Sequence, residues 1–258
     1  IIIMKKIAFI LFMFCFAITG AIAQEQITIS RFQGEKITGF EVHGAFKVTA
    51  RQGESTGASV TIPARLEKQL NFTLKQDGIL LITFKGKIKG KNNDKFTAEV
   101  NLSALENVEL TGASSLTLTG EITANNFKAK IVGASAMKST DPIRVNQEAE
   151  IHLAGASKIS GELTAPVIAF RISGASNLTL AGKSTEGNIE VNGSSHANLD
   201  NFRIDNATIE ASGSSHVNIN VVKELSAKAS GVSSITYSGN PKIIKLDATR
   251  VSNIKKDN

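Results

Sequence analysis

Residues 192–216 read NGSSHANLDNFRIDNATIEASGSSH, so the phrase Gly-Ser-Ser-His begins at Gly193 and again at Gly213. Related phrases, with Ser two residues after Gly, continue in both directions along the chain. The steps from each Gly (Arg250 in the last copy) to the next are 21, 22, 19, 19, 20, 18 and 19 residues. A period near twenty, sustained over eight copies, predicts a stacked repeat protein.

Apolar side chains alternate with polar ones around each phrase. Ile189 and Val191 precede Gly193, for example, with the polar Glu190 between them. This period of two is typical of strands with one face in water. Short strands of this kind bury their apolar face only by stacking, which predicts an all-β fold: a parallel β-helix of about 20-residue coils, spaced about 4.8 Å apart. An antiparallel barrel or sandwich is the alternative, but it does not explain why one phrase recurs.

Each residue of the phrase has a predicted structural role. The Gly permits the bend between two sides of a coil, and the small residue after it leaves room for the neighbouring coil. The Ser shares the inward direction of the apolar positions, so its hydroxyl is expected to bond backbone groups at the corner of an adjacent coil. We therefore predict a structural ladder, and not eight nucleophiles, formed by Ser114, Ser135, Ser157, Ser176, Ser195, Ser215, Ser233 and Ser252.

The first 23 residues have the pattern of a secretory signal peptide. Lys5 and Lys6 precede an apolar run at 7–18, and Ala21-Ile22-Ala23 provides an A-x-A cleavage site. A membrane anchor is the alternative, but the run is short of the ~20 residues that a spanning helix needs. We expect export to the periplasm, the outer-membrane surface or the cell exterior. The only cysteine, Cys15, lies within this segment.

The exported chain divides into a strand-rich section at 24–107 and the repeat region at 108–258. In the first section, Asp77-Gly78 predicts a tight turn between two strands, and residues 64–70 a helical turn. His43-Gly44-Ala45 is an early version of the phrase without its Ser. We expect this section to begin the solenoid and to close its open end.

Little in the sequence indicates catalysis or nucleic-acid binding. The net charge of +6 is scattered and the chain has no Trp, whereas nucleic acid requires a basic face with stacking aromatics. No phosphate-binding loop, HExxH or Gly-x-Ser-x-Gly occurs. We predict no catalytic, cofactor-binding or metal-binding residues, and no cofactor. Asp141, Asp200, Asp205 and Asp247 of the repeat region occupy different columns, so no catalytic carboxylate pair is predicted among them.

The most polar copies suggest a contact face. His196 and His216 occupy the same place in consecutive repeats, so their rings should stack one strand spacing apart. The next copy has Ser234 there, which leaves no third metal ligand in the column and favours a polar ladder. Together with Asn198 and Asn218, the two histidines form the candidate contact face. Ordinary solvated turns are the alternative.

The apolar N-terminus, the segments Phe40-Glu41-Val42 and Phe46–Thr49, and the Gly-Ala-Ser repeats resemble the head GIN domain family of auto-transporter adhesins, which is common in Bacteroidetes. The resemblance covers about residues 37–240. It implies a β-helical solenoid and an exported protein of the cell envelope. The sequence holds no translocator barrel, so strict autotransport is not expected.

These observations predict a non-enzymatic, exported cell-envelope adhesin that presents a rigid β-helical surface. Its partner would be a protein or glycan of the envelope or of the cell exterior, and not nucleic acid. A periplasmic structural or signalling scaffold is the first alternative. A β-helix enzyme that acts on polysaccharides is the second. The sequence makes no prediction of the oligomeric state.

Overall fold

A computed structural model describes residues 25–91, 93–249 and 251–257, so the predicted signal peptide at 1–23 lies outside the described residues. The strands join into one 22-stranded arrangement that winds as a β-solenoid of about seven turns. The predicted all-β, parallel β-helical fold is therefore confirmed. In chain order the strands are β1 (Gln26–Arg31), β2 (Gly39–Gly44), β3 (Lys47–Gln52), β4 (Gly57–Pro63), β5 (Leu70–Leu74), β6 (Ile79–Phe84), β7 (Thr97–Leu102), β8 (Asn107–Gly112), β9 (Ser115–Leu118), β10 (Ile122–Ala124), β11 (Phe127–Gly133), β12 (Ala136–Ser139), β13 (Ile143–Val145), β14 (Glu148–Gly155), β15 (Lys158–Thr164), β16 (Val167–Ile172), β17 (Asn177–Val191), β18 (His196–Ala211), β19 (His216–Ala229), β20 (Ser234–Ser238), β21 (Lys242–Ala248) and β22 (Asn253–Lys256).

Three sets of parallel strand pairs run along the solenoid. The first face consists of the strands that lead up to the repeat phrase: β2, β8, β11, β14, β16, the last parts of β17, β18 and β19, and β21. The second face follows the phrase: β3, β9, β12, the first parts of β15, β17, β18 and β19, and then β20 and β22. A shorter third face contains β10, β13, the end of β15 and the middle of β17 and β18.

Side chains alternate between the interior and solvent along each strand. On β14, Ala149, Ile151 and Leu153 are buried, whereas the residues between them face outward. Because neighbouring coils pair in register, each inward position becomes a column of apolar side chains that excludes water, the main favourable term in folding. One such column is Val42, Leu110, Ile131, Leu153, Ile172, Val191, Ala211 and Ala229.

The repeat glycines form the corner between the first and second faces. Gly213 has a φ of +77°, and a Cβ placed there would lie 2.6 Å from the carbonyl oxygen of Gly193. The residue after each glycine donates its N–H to the glycine carbonyl one coil earlier, at 2.7 Å for Ser214 to Gly193. Glycine is therefore required for two reasons, its backbone conformation and the close approach of the neighbouring coil.

The N-terminal section begins the same stack. Gly44 lies in register with Gly112, so the early version of the phrase is the corner of the first coil, β2–β3. The chain then leaves the coil at 53–106. Its strands β6 and β7 pair with the outer edges of β2 and β3, and β1, β4 and β5 are added antiparallel. This section extends both faces beyond the first coil.

The local predictions for this section agree with the structure. β5 and β6 form an antiparallel hairpin, and Asp77 Oδ1 accepts a hydrogen bond from the N–H of Ile79 at 3.1 Å across the turn. The helical turn is a 3₁₀-helix at Ala64–Gln69 whose Leu66 is buried. At the position where later coils have Ser, the first coil has Phe46, which packs against Phe84 with ring centroids 5.2 Å apart. Phe46 therefore occupies, in the first coil, the position that Ser occupies in the later coils.

Candidate functional site

The predicted contact face lies on the second face of the solenoid, on β18 and β19. The rings of His196 and His216 are parallel, with their centroids 4.9 Å apart and 6° between their planes. Asn198 lies opposite Asn218 in the same strand pair. All four side chains are exposed. The structure therefore brings the four residues together as two adjacent polar columns.

Neighbouring strands lengthen these columns. Asn177 precedes His196 in the first column, and Ser234 follows His216. Each histidine ring is covered by the other on one flat side, and its nitrogen-bearing edge is available to a ligand. The surface is a shallow groove of about 240 Å³ lined by Asn177, Thr179, His196, Ala197, Asn198, His216 and Asn218. Amides, a hydroxyl and imidazoles all donate or accept hydrogen bonds, which suits a polar ligand.

The seven predicted ladder serines from Ser114 to Ser233 lie inside the corner and are at most 1% exposed. Ser195 illustrates their contacts: its hydroxyl donates to the carbonyl of Gly174 at 3.3 Å and accepts the N–H of Ser176 at 3.2 Å. In the last copy, Ser252 is half-buried. Among the described residues, every buried side-chain nitrogen or oxygen has a hydrogen-bond partner. A ligand on the surface does not reach the seven buried hydroxyls.

The first face carries a column of charges that pair with one another. Lys130 Nζ lies 3.0 Å from Glu109 Oε1, and Arg171 lies between Glu150 and Glu190 at 3.6 and 3.7 Å. Such pairs are exposed and contribute little to stability. Because these charges already have partners within the face, this part of the surface is less suited than the contact face to a new ligand.

The third face has a larger groove that sequence reasoning missed. Its volume is about 620 Å³, and it is lined by Lys183, Arg203 and Asp205 together with small polar and apolar residues, which are Val145, Asn146, Thr164, Ala165, Pro166, Ser184 and Thr185. Lys223 Nζ lies 2.8 Å from Asp205 Oδ2, and this hydrogen bond holds the pKa of Asp205 below its ordinary value. Arg203 is 3.8 Å from the same carboxylate. The groove therefore has a mixed lining that includes both signs of charge.

The repeat spacing alone does not predict that the residues of this groove lie side by side. Lys183 and Arg203 pair in register, but Lys183 follows its repeat glycine by nine residues and Arg203 follows its own by ten. The strand pair shifts register between Thr179 and Gly182, which absorbs the difference. In the sequence, the one indication of this pair is that Lys183 and Arg203 occur at similar places in successive repeats.

Three of the four aspartates considered as a carboxylate pair, Asp141, Asp205 and Asp247, contact other groups. Asp141 accepts the N–H of Gly120 and the hydroxyl of Thr140, and these hydrogen bonds, the Thr140 contact foremost, lower its pKa. Asp247 lies 3.8 Å from Lys245. Within the described ranges, no group of three His, Cys, Asp or Glu side chains is arranged to hold a metal ion.

The fold and these ladders define a β-solenoid protein built from glycine-cornered coils. The chain belongs to the family described as "Putative auto-transporter adhesin, head GIN domain", whose model matches residues 36–241. That range agrees with the resemblance over about residues 37–240. No curated protein sequence matches the chain.

Solved structures share the fold. A "putative adhesin" from Parabacteroides distasonis has a TM-score of 0.81 at 17% identity, covering 91% of this chain and 98% of that one. A "putative adhesin" from Parabacteroides merdae has a TM-score of 0.80 at 17% identity, covering 92% and 98%. A "putative lipid binding protein" from Parabacteroides distasonis has a TM-score of 0.76 at 17% identity, with the same coverage. At this identity the likeness shows the fold alone.

The described part of the chain contains no helix that combines the length and the apolar character needed to cross a membrane.

Proposed function

We propose that this chain is a non-enzymatic adhesin of the cell envelope that uses the contact face on β18 and β19 to hold its partner. The observation that carries this proposal is the outward pair of columns, His196 with His216 and Asn198 with Asn218, held in register by a buried core. A stacked solenoid presents such columns on a rigid surface. Membership of an adhesin family supports the same role.

Export is part of the proposal. Residues 1–23 would direct secretion and be removed, which leaves the section at 24–107 to begin the solenoid and the repeats at 108–258 to present the contact face. An adhesin must then lie on the outer surface of the cell, whereas a scaffold would lie within the periplasm.

The chemistry of the contact face favours a protein partner over a glycan. Sugar recognition by stacking uses exposed aromatic faces, but the chain has no Trp and its only tyrosine, Tyr237, is 9% exposed. The histidine edges and asparagine amides instead offer a row of hydrogen-bond donors and acceptors one strand spacing apart. A polar protein surface supplies matching groups.

Protease treatment of intact producing cells tests the location. We expect an external protease to digest the protein on intact cells, while a periplasmic marker protein survives. Protection until the outer envelope is opened would contradict adhesion and support the periplasmic scaffold. Release of reducing ends from envelope glycans by the purified chain would contradict the non-enzymatic part of the proposal.

An adherence assay tests the face. We expect cells that produce the double variant His196→Ala with His216→Ala to lose most of their adherence to immobilised host or envelope protein. His152→Ala is the matched control, because His152 also points outward but lies on the first face. Equal adherence of the wild type and the double variant would show that the contact face is not used.

A further inference from the structure

The last coil of the solenoid exposes apolar side chains that are buried in every earlier coil. On β21, Ile243 and Leu246 are 40% and 42% exposed. Their partners one coil earlier, Leu225 and Ala227, are 0% and 2% exposed. Both pairs of side chains point inward. Leu225 and Ala227 are covered by a further coil, whereas Ile243 and Leu246 are not. Ile244, at a bulge in this strand, is 53% exposed.

The same strand presents an unpaired edge. Within the described residues, β21 pairs with β19 alone, and β22 pairs with β20 alone. The outer edge of β21 therefore carries backbone donors and acceptors beside a row of large apolar side chains. An edge of this kind is a template for another strand. The family match ends at residue 241, so β21, which starts at Lys242, lies outside it.

At the opposite end of the solenoid the apolar core is covered, although β1 and β5 there, among the described residues, also pair along one edge only. Ile27 and Ile29 of β1 pack against the core, and Leu66 of the 3₁₀-helix is 2% exposed. Stacking the C-terminal end of one copy on the N-terminal end of another would leave the apolar residues of β21 without equivalent partners. It would also produce an open fibre, whereas like ends can pair about a two-fold axis and close.

We propose that two copies of this chain dimerise through their C-terminal ends, with β21 of one copy paired antiparallel to β21 of the other and centred on Leu246. In this register Leu246 faces its own counterpart. Lys245 lies opposite the second copy's Asp247, and Asp247 opposite its Lys245. Both residues point outward on the same side of the strand, as their separation of 3.8 Å within one copy shows.

Charge selects this register. A pairing shifted to centre on Lys245 would set two lysines directly opposite each other, which destabilises a strand pair. Centring the pair on Leu246 instead produces two Lys–Asp pairs. It also brings the apolar ends of the two cores into contact. A second copy of the chain therefore supplies charges that complement those of this end.

Sedimentation equilibrium of the purified chain over a concentration series tests the dimer. We expect the wild type to dimerise, and Leu246→Asp to raise the dissociation constant by on the order of a hundredfold, because it places two carboxylates at the two-fold axis. Val167→Asp is the matched control, since Val167 is 40% exposed but lies on the side of the solenoid. It should dimerise like the wild type.

A charge exchange tests the register. Lys245→Asp should weaken the dimer, and Lys245→Asp combined with Asp247→Lys should restore it, because the exchanged pairs are again opposite in sign. Circular dichroism of each variant checks that the solenoid remains folded. A monomeric wild type, fibres in place of dimers, or a dimer unaffected by Leu246→Asp would overturn the proposal.

Discussion

The imidazole rings of His196 and His216 stack with their centroids 4.9 Å apart, a separation equal to the spacing of the strands that carry them. The pair is thus a direct consequence of the in-register coils. Each ring is exposed to solvent, while one of its flat sides faces the other histidine. This arrangement leaves hydrogen-bonding nitrogen atoms exposed and covers one flat side of each ring.

Removal of the histidine pair should reduce binding but leave the stability of the fold almost unchanged. Because both side chains are exposed, we expect the double variant His196→Ala with His216→Ala to change the free energy of unfolding by about 0.5 kcal/mol or less. Urea denaturation measures this change. A loss of several kcal/mol would show that the histidine pair stabilises the fold. Reduced adherence of the double variant would then reflect unfolding and not the loss of a binding surface.

Truncation of one ladder serine should destabilise the solenoid. Ser195→Ala leaves the N–H of Ser176 without its hydroxyl acceptor in a buried site, which should cost about 1–3 kcal/mol. The carbonyl of Gly174 keeps the N–H of Ser194 as a donor at 2.7 Å. Urea midpoints measure the loss. The control is Ser194→Ala at the adjacent exposed position, and an equal effect of both variants would contradict a stabilising ladder.

Two glycine variants separate backbone strain from crowding. Gly120 and Gly213 have nearly the same φ, +75° and +77°, but only at Gly213 does an added Cβ meet a neighbour, at 2.6 Å. Gly120→Ala should therefore cost about 1–2 kcal/mol from strain alone. Gly213→Ala should cost several kcal/mol more, because the preceding coil, which carries Gly193, must move. Thermal unfolding distinguishes the two, and equal losses would show that the close approach is unimportant.

The ion pair in the third-face groove should make stability depend on pH. The hydrogen bond from Lys223 lowers the pKa of Asp205 in the folded protein. A carboxylate of this kind stabilises the fold above its unfolded-state pKa, and the stabilisation is lost as the pH falls through its folded-state pKa.

Thermal unfolding of the wild type and of Lys223→Gln over a pH series measures this effect. The difference in Tm between the two proteins should be present at neutral pH and should shrink on acidification. Lys158→Gln, at an exposed lysine of the second face, is the control and should show no such trend. A difference that grows on acidification would contradict the assignment.

Local rules made much of the fold predictable. The glycines of the phrase recur because the corner of each coil demands a positive φ, and this demand acts on single residues. The alternation of Ile189, Glu190 and Val191 reflects the two sides of a strand, which is also local. Register follows from the period, so the repeat spacing alone was enough to predict that His196 and His216 are neighbours.

Other features depend on contacts between distant parts of the chain. The first coil meets the second only after residues 53–106 return, since Gly44 pairs with Gly112. Lys183 and Arg203 lie side by side in the groove because the strand pair shifts its register by one residue.

The sequence by itself determined the repeat, the strand direction within each coil and the polar columns, because these follow from backbone conformation and side-chain alternation. Only the tertiary structure decided which apolar residues are exposed. Leu246 and Leu153 both point toward the axis, but burial requires a covering neighbour, and β21 is the last strand of its face among the described residues.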